Sequence, residues 1–352
     1  MYKNLVLSGG ALKGFAFIGI LQYLEDDQRT KYIKNVIGSS AGSIIGFLYC
    51  LGYTPKQILK LCSDLLKLYV AKEIDINLIF NINETLGIDN GTIITEFLKQ
   101  CVFDKWGKYD INFLDFSKLT GKNFVVCASN LTTRKPVYFC LDETPDVNVI
   151  EAIRASMTLP FIFTPIKIKN EILVDAGIFN NFPIDYLQNF NLKDTIGVVI
   201  RSKPFLPTSL NIISFTRLLI DTMLDRLNVK DDELLSKVEL IEIDMSNEDV
   251  FEFNLDTLKL DVDFNKINRY FHKGYNSIQS KFKSKEESEN SENNNNNESS
   301  KNSETQLKCK QCIKNKRVKN IYKDDKWVSY QPLLPHYSQE YNIMLLNMFN
   351  LD

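Results

Sequence analysis

Apolar positions along the first fifty residues alternate between two periods. Leu5-Val6-Leu7 is a short continuous apolar run that reads as a buried strand, and Ser8-Gly9-Gly10 turns it. From Gly14 the apolar residues Phe17, Ile20, Leu21 and Leu24 recur at helical spacing. Tyr32 to Ile37 reads as a second strand, and after Gly38-Ser39 the residues Ile44, Ile45, Leu48 and Leu51 predict a second helix. Gly52 ends that helix and Pro55 starts the next at a favourable first-turn position. Strand alternating with helix predicts a parallel sheet covered by helices.

Residues 54–120 read as mostly helical, without clear strands, and as an insertion able to cover a site like a lid. Strands are expected again at 123–128, 137–140, 166–168, 172–174, 195–200 and 239–243, and helices at 148–157, 209–228 and 263–282. The chain therefore reads as a main domain over 1–282. A polar Asn/Ser/Glu-rich tract over 283–306 cannot bury enough surface to offset ordering entropy, and disorder is expected there. A basic stretch and an apolar end make up a tail over 307–352, expected to dock back on the domain or to lie on a membrane.

Composition adds mainly exclusions. The net charge of −2 carries no global bias towards nucleic acid, and none is expected as a partner. Seven cysteines, most of them scattered through apolar segments, read as reduced buried thiols. Cys309 and Cys312 form half of a zinc site at best, so no metal or cofactor is expected. The apolar run Ile44–Tyr53 is too short for a bilayer span, which takes about 20 residues. With no signal pattern at the start, the expectation is a cytoplasmic protein, not secreted, that meets membranes at most peripherally. Oligomeric state stays open.

The chemistry concentrates in two turns. Gly38-Ser39-Ser40-Ala41-Gly42 joins an apolar strand to an apolar helix. Gly-x-Ser-x-Gly in that setting is the pattern of a nucleophile elbow, whose tight turn needs small flanking residues and exposes the central serine. Ser40 is the candidate nucleophile. The earlier turn, Ser8 to Gly14, lacks the Lys-Ser/Thr of a phosphate loop and the second glycine of a dinucleotide fingerprint. It fits an oxyanion loop, with N–H groups from Gly9, Gly10 and Ala11 converging with that of Ala41. Lys13 reads equally as a loop stabiliser, an attractor of anions, or a solvated helix-start lysine.

Only His272 and His336 are available as imidazole bases, one on an expected helix and one beyond the polar tract. Asp175, ending the strand 172–174, is the stronger candidate, because an acidic residue at a strand's carboxyl end faces the crevice of a parallel sheet. A turn aspartate satisfying its own backbone is the competing reading.

Three segments in order, "LSGGALKGFAFIGILQYLE", "VIGSSAGSIIG" and "ASMTLPFIFTPI" with "LVDAGIFNNFPID", resemble the patatin-like phospholipases over about residues 1–200. The resemblance implies a three-layer α/β fold with a mostly parallel central sheet and helices on both faces. It implies a Ser40–Asp175 dyad without histidine, and motif positions at Gly14, Gly38, Gly42, Ala176 and Gly177. The implied activity is hydrolysis of acyl esters in phospholipids or acylglycerols, at a membrane surface. Two positions depart from the family's pattern: Ala11 and Ala176 stand where glycine is usual. A methyl at 11 would crowd the loop if that residue needs a positive φ. A catalytically silent lipid- or protein-binding module, an acyltransferase and a small-ester esterase are the alternatives on the same fold.

Overall fold

The structure, a computed structural model, describes residues 1–71, 81–203, 232–248 and 264–297, with a few further positions between 215 and 260. Most of the expected helix over 209–228, with the Cys309/Cys312 pair, His336 and the tail, lies outside the described residues; Phe215, Leu218, Leu219 and Thr222 within it are helical.

Strands are β1 (Asn4–Leu7), β2 (Asn35–Ser39), β3 (Gly87–Asp89), β4 (Asn123–Asn130), β5 (Lys135–Phe139), β6 (Phe161–Phe163), β7 (Ile166–Ile168), β8 (Glu171–Val174), β9 (Thr195–Arg201) and β10 (Glu239–Asp244). Helices are α1 (Phe15–Asp26), α2 (Ala41–Cys50), α3 (Pro55–Ala71), α4 (Ile82–Thr85), α5 (Thr92–Trp106), α6 (Phe113–Thr120), α7 (Val149–Ser156), α8 (Asp232–Leu235) and α9 (Phe264–Asn297). The main sheet runs β10-β9-β1-β2-β4-β8-β7, with β5 also on β4. From β10 to β4 every pairing is parallel. β5 and β8 pair with β4 antiparallel, and β7 with β8 likewise.

One consequence of register positions the site. β5 occupies one edge of β4 along Val126–Asn130. β2 pairs with β4 up to Ser39↔Cys127, and β8 pairs at Ser129↔Val174 and Asn130↔Leu173. Since a strand has two edges, β2 and β8 share the second one, end to end. They point at each other, and both run out opposite Ala128, one into Ser40 and the other into Asp175.

Alternate strand residues feed two faces of the sheet. Val6, Ile37 and Val125 meet Ile184, Leu187 and Leu192 on one face. On the other, Gly46 of α2 lies against Val36 and Phe124, and Phe47 lies beside Phe124 and Phe116. α9 crosses α1 closely: a Cβ on Gly274 would collide with the Ala16 carbonyl, and one on Gly19 with the backbone of Phe271 and Tyr275. All five described cysteines are free and buried. No helix among the described residues is long and apolar enough to cross a membrane.

Several boundaries differ from expectation. β2 starts at Asn35 because its ladder partners start there, and Thr30–Tyr32 forms a 3-10 turn instead. Among its described residues the 54–120 segment carries one strand, β3, which pairs parallel with β6. Its helices contribute Ile58, Leu61, Leu65, Phe97 and Leu98 to the buried core. The chain divides into units Met1–Lys281 and Phe282–Asp352. α9 continues to Asn297, so the polar tract begins helical where no order was expected. That stretch of Lys, Glu, Ser and Asn contains no Pro or Gly to stop a helix.

Candidate active site

Ser40 ends β2 and caps α2 with φ 47° and ψ −119°. A non-glycine residue in this region is strained, by roughly 1–3 kcal/mol. The surroundings enforce it. The Ser40 N–H donates to Ser156 Oγ at 2.8 Å, and its carbonyl accepts the Ser43 hydroxyl at 2.6 Å. A Cβ on Gly38 would stand 2.6 Å from the Ser43 backbone, and one on Gly42 would stand 2.5 Å from the Leu7 and Ser8 carbonyls. Both glycines are there because backbone passes too close for any side chain.

The glycine-rich turn lies against this elbow. A Cβ on Gly9 would come 3.4 Å from the Ser40 Cβ, and one on Gly14 would come 2.8 Å from that of Ala41. Among the described residues no hydrogen bond engages the N–H of Gly10, Ala11 or Ala41. All three residues are partly or fully exposed, next to buried neighbours. Gly9 requires a correction. Its N–H is taken by the Asn181 carbonyl at 2.9 Å, so Gly9 provides close approach and not a donor. Lys13 is not solvated: it is buried, and its Nζ donates to Ser202 Oγ at 2.8 Å.

Asp175 is 3% exposed. Its N–H donates to the Thr158 carbonyl at 2.8 Å, and its Oδ1 accepts the Gly177 N–H at 2.8 Å. Oδ2 is buried and, among the described residues, has no hydrogen-bond partner. Burial raises the carboxyl from its usual 3.8 to about 6, while the Ser40 hydroxyl and the Gly177 N–H pull the other way. The hydroxyl is thus near enough to act on the carboxyl electrostatically, yet no hydrogen bond of standard geometry joins them. The two groups approach each other without being bonded, as is common before substrate binds. Asp175 reaches this position differently from expectation, since β8 is antiparallel to β4 and meets β2 head-on. His272 is exposed on α9, edge-on to Phe271.

The sequence profile of patatin-like phospholipases matches residues 5–188, more than half of the chain. The chain belongs to the patatin-like phospholipase family. A probable lipid hydrolase, 463L, of Invertebrate iridescent virus 6 is 34% identical over 194 residues, covering 54% of this chain and 65% of that one. The uncharacterized protein R571 of Acanthamoeba polyphaga mimivirus is 29% identical over 197 residues, covering 56% and 64%. This chain therefore matches just under two thirds of the length of these relatives. The crystal structure of VipD from Legionella pneumophila superposes with a TM-score of 0.50 at 16% identity, covering 80% of this chain and 67% of that one. At that identity the likeness concerns the fold alone.

Within this patatin-like site the two departures have opposite characters. Ala11 does adopt a positive φ, 47°, where glycine would be unstrained. Its methyl is exposed, so the cost is conformational rather than a clash. Ala176 has no positive φ. It opens a short 3-10 turn after Asp175, so alanine fits there.

Sequence reading missed the groups that hold these parts together. Ser156 anchors the elbow from the end of α7. Ser129 Oγ donates to the Ala176 carbonyl at 3.2 Å and accepts the Phe179 N–H at 3.1 Å, which fixes the turn after Asp175. The Asn180 carbonyl accepts the Ser39 hydroxyl at 3.2 Å while the next carbonyl, Asn181, takes Gly9. Asn180 is itself held by Asp185, whose carboxylate accepts Asn180 Nδ2 and the Tyr138 hydroxyl, each at 2.6 Å. The only hint in the sequence was "NNFPID" following the aspartate.

Proposed function

We propose that the protein is a lipid acyl hydrolase in which Ser40 and Asp175 form a dyad. What supports this most is the pairing of a strained serine with a buried carboxylate oxygen that lacks any other partner. Asp175 Oδ2 takes the hydroxyl proton as Ser40 Oγ bonds to the ester carbonyl carbon. The N–H groups of Gly10, Ala11 and Ala41 hold the oxyanion, in a position where losing one donor typically costs about 10²–10³ in rate. The oxyanion collapses, the C–O bond to the alcohol breaks, and Asp175 returns its proton to the leaving oxygen. Water then attacks the acyl-serine with Asp175 again as base, releasing fatty acid and restoring Ser40.

A carboxyl near 6 suits this task, because it is mostly ionised at neutral pH yet basic enough to accept a proton. The substrate class, acyl esters of phospholipids or acylglycerols, follows from family membership, and such substrates sit at a membrane surface. The test is labelling with a serine-directed fluorophosphonate alongside fatty-acid release from lipid. Wild type should label and release fatty acid, and Ser40→Ala should do neither. Absence of labelling in folded wild type would move the reading to a silent lipid-binding module.

A further inference from the structure

Beyond the dyad, the same strand register brings a set of unpaired cations to one side of the sheet. β4 continues past the end of β2, so its hairpin with β5 projects on the side where β2 releases Ser40. β8 descends to Asp175 from that same side, so the β7–β8 turn also projects there. Asn170 in that turn lies five residues before Asp175, about 16 Å beyond it at strand rise. The first tip, Leu131–Lys135, carries Arg134 and Lys135; the second, Lys167–Glu171, carries Lys167 and Lys169. All four are exposed and, among the described residues, none makes an ion pair. Glu171 is the sole acidic residue in either tip.

Large apolar side chains are exposed on the first tip and on the β3–β6 ribbon. Leu131, on the first tip, is 43% exposed and is tied to β8 by its N–H on the Ile172 carbonyl. Phe161, 58% exposed, lies three residues from Thr158, whose carbonyl holds the Asp175 N–H. Its strand partner Gly87 follows Leu86, 54% exposed. Phe161 and Leu86 both have positive φ, 66° and 57°, which is a costly way to present a bulky apolar side chain to water.

We propose that the two hairpin tips, with Leu131, Phe161 and Leu86, are the surface by which this chain docks on an anionic lipid bilayer, crevice side down. The proposal rests on the hydrolase reading for its choice of a lipid surface. Charge complementarity supports it, since the tips carry a local positive excess on a chain of net charge −2. The exposed apolar side chains select a bilayer over a nucleic acid: headgroups neutralise the cations while Leu and Phe enter the acyl boundary.

Binding is measured on the full chain carrying Ser40→Ala, so no lipid is turned over and the outcome does not depend on the hydrolase reading. Sedimentation is compared for vesicles of phosphatidylcholine alone and of phosphatidylcholine with one third phosphatidylserine. Tighter binding to the anionic vesicles is expected. Arg134→Gln, Lys135→Gln, Lys167→Gln and Lys169→Gln together should weaken it by several hundredfold, at roughly fivefold per charge. Each tip's pair, changed separately, should account for part of that loss, so the result does not hinge on one variant. Phe161→Ser should cost about tenfold on vesicles of either kind. The proposal is overturned if the fourfold variant binds anionic vesicles as the parent does, or if the parent binds duplex DNA as tightly as those vesicles.

Discussion

The two turns that build the crevice are near twins with different purposes. Both join neighbouring parallel strands to helices, and both hold a non-glycine residue at φ 47°, Ala11 in one and Ser40 in the other. In the proposed chemistry Ser40 contributes its side chain, whereas Ala11 contributes only a backbone N–H. Strain at Ser40 is therefore inseparable from function, while strain at Ala11 is dispensable. The local packing agrees with this difference. Ser40 is buried and bonded through its N–H and carbonyl, while Ala11 is exposed.

The sharpest way to break the comparison is Ser40→Gly. Activity should fall by about 10⁴ or more, as removal of a nucleophile does. Folding stability should rise by roughly 1–2 kcal/mol as the φ strain is relieved. A melt that shows Ser40→Gly less stable than Ser40→Ala would remove strain from the account of this turn.

Asp175→Asn is next. Its fatty-acid release should fall by about 10³ or more if Asp175 is the base. Its stability change has a defined sign. The folded carboxyl titrates near 6 and an unfolded aspartate near 3.8, so above pH 6 the folded state carries a buried charge that the unfolded state holds in water. That cost is about 3 kcal/mol at 1.36 kcal/mol per unit. It fades as pH falls through 6 and is gone below 3.8. Asparagine lacks it, so denaturant melts should show the variant more stable at pH 8 and level with wild type near pH 4. Equal stability at pH 8 would contradict the buried, unpartnered carboxylate.

The same titration sets the pH profile of the wild type. The acid limb of kcat/KM on a soluble ester should bend near pH 6 and drop about tenfold per unit below it. A limb bending near 4 would place the base elsewhere.

The smallest effect belongs to Ala11→Gly. Relief of the left-handed alanine is worth about 1 kcal/mol, part of which the extra freedom of glycine in the unfolded chain takes back. A thermal melt should rise by a degree or two while activity is kept, in contrast to Ser40→Gly. A fall in activity would mean that the methyl helps to place the loop.

These turns were legible because each is local: apolar strand, small residues and apolar helix follow one another within a dozen positions. The groups that clamp them were not, since Ser156, Ser129, Asn180 and Asp185 are ordinary residues until distant strands bring them together. The β3–β6 ribbon was missed for a similar reason, because two three-residue strands leave no period to detect. The sequence places Asp175 at the end of a parallel strand, whereas the structure carries it on an antiparallel one that runs out opposite β2.

The order of residues alone determined that a buried strand ends in a glycine-flanked serine, that a second such strand ends in a glycine-rich turn, and that histidine is scarce. Each of these is set by steric rules acting over one turn of chain. Tertiary structure alone decided that β2 and β8 share an edge of β4 and meet head-on, which brings Ser40 and Asp175 to one level and leaves a carboxylate oxygen buried and unpartnered. Edge sharing depends on which hydrogen-bonding groups β5 has already taken along β4, and that competition is invisible until the sheet is assembled.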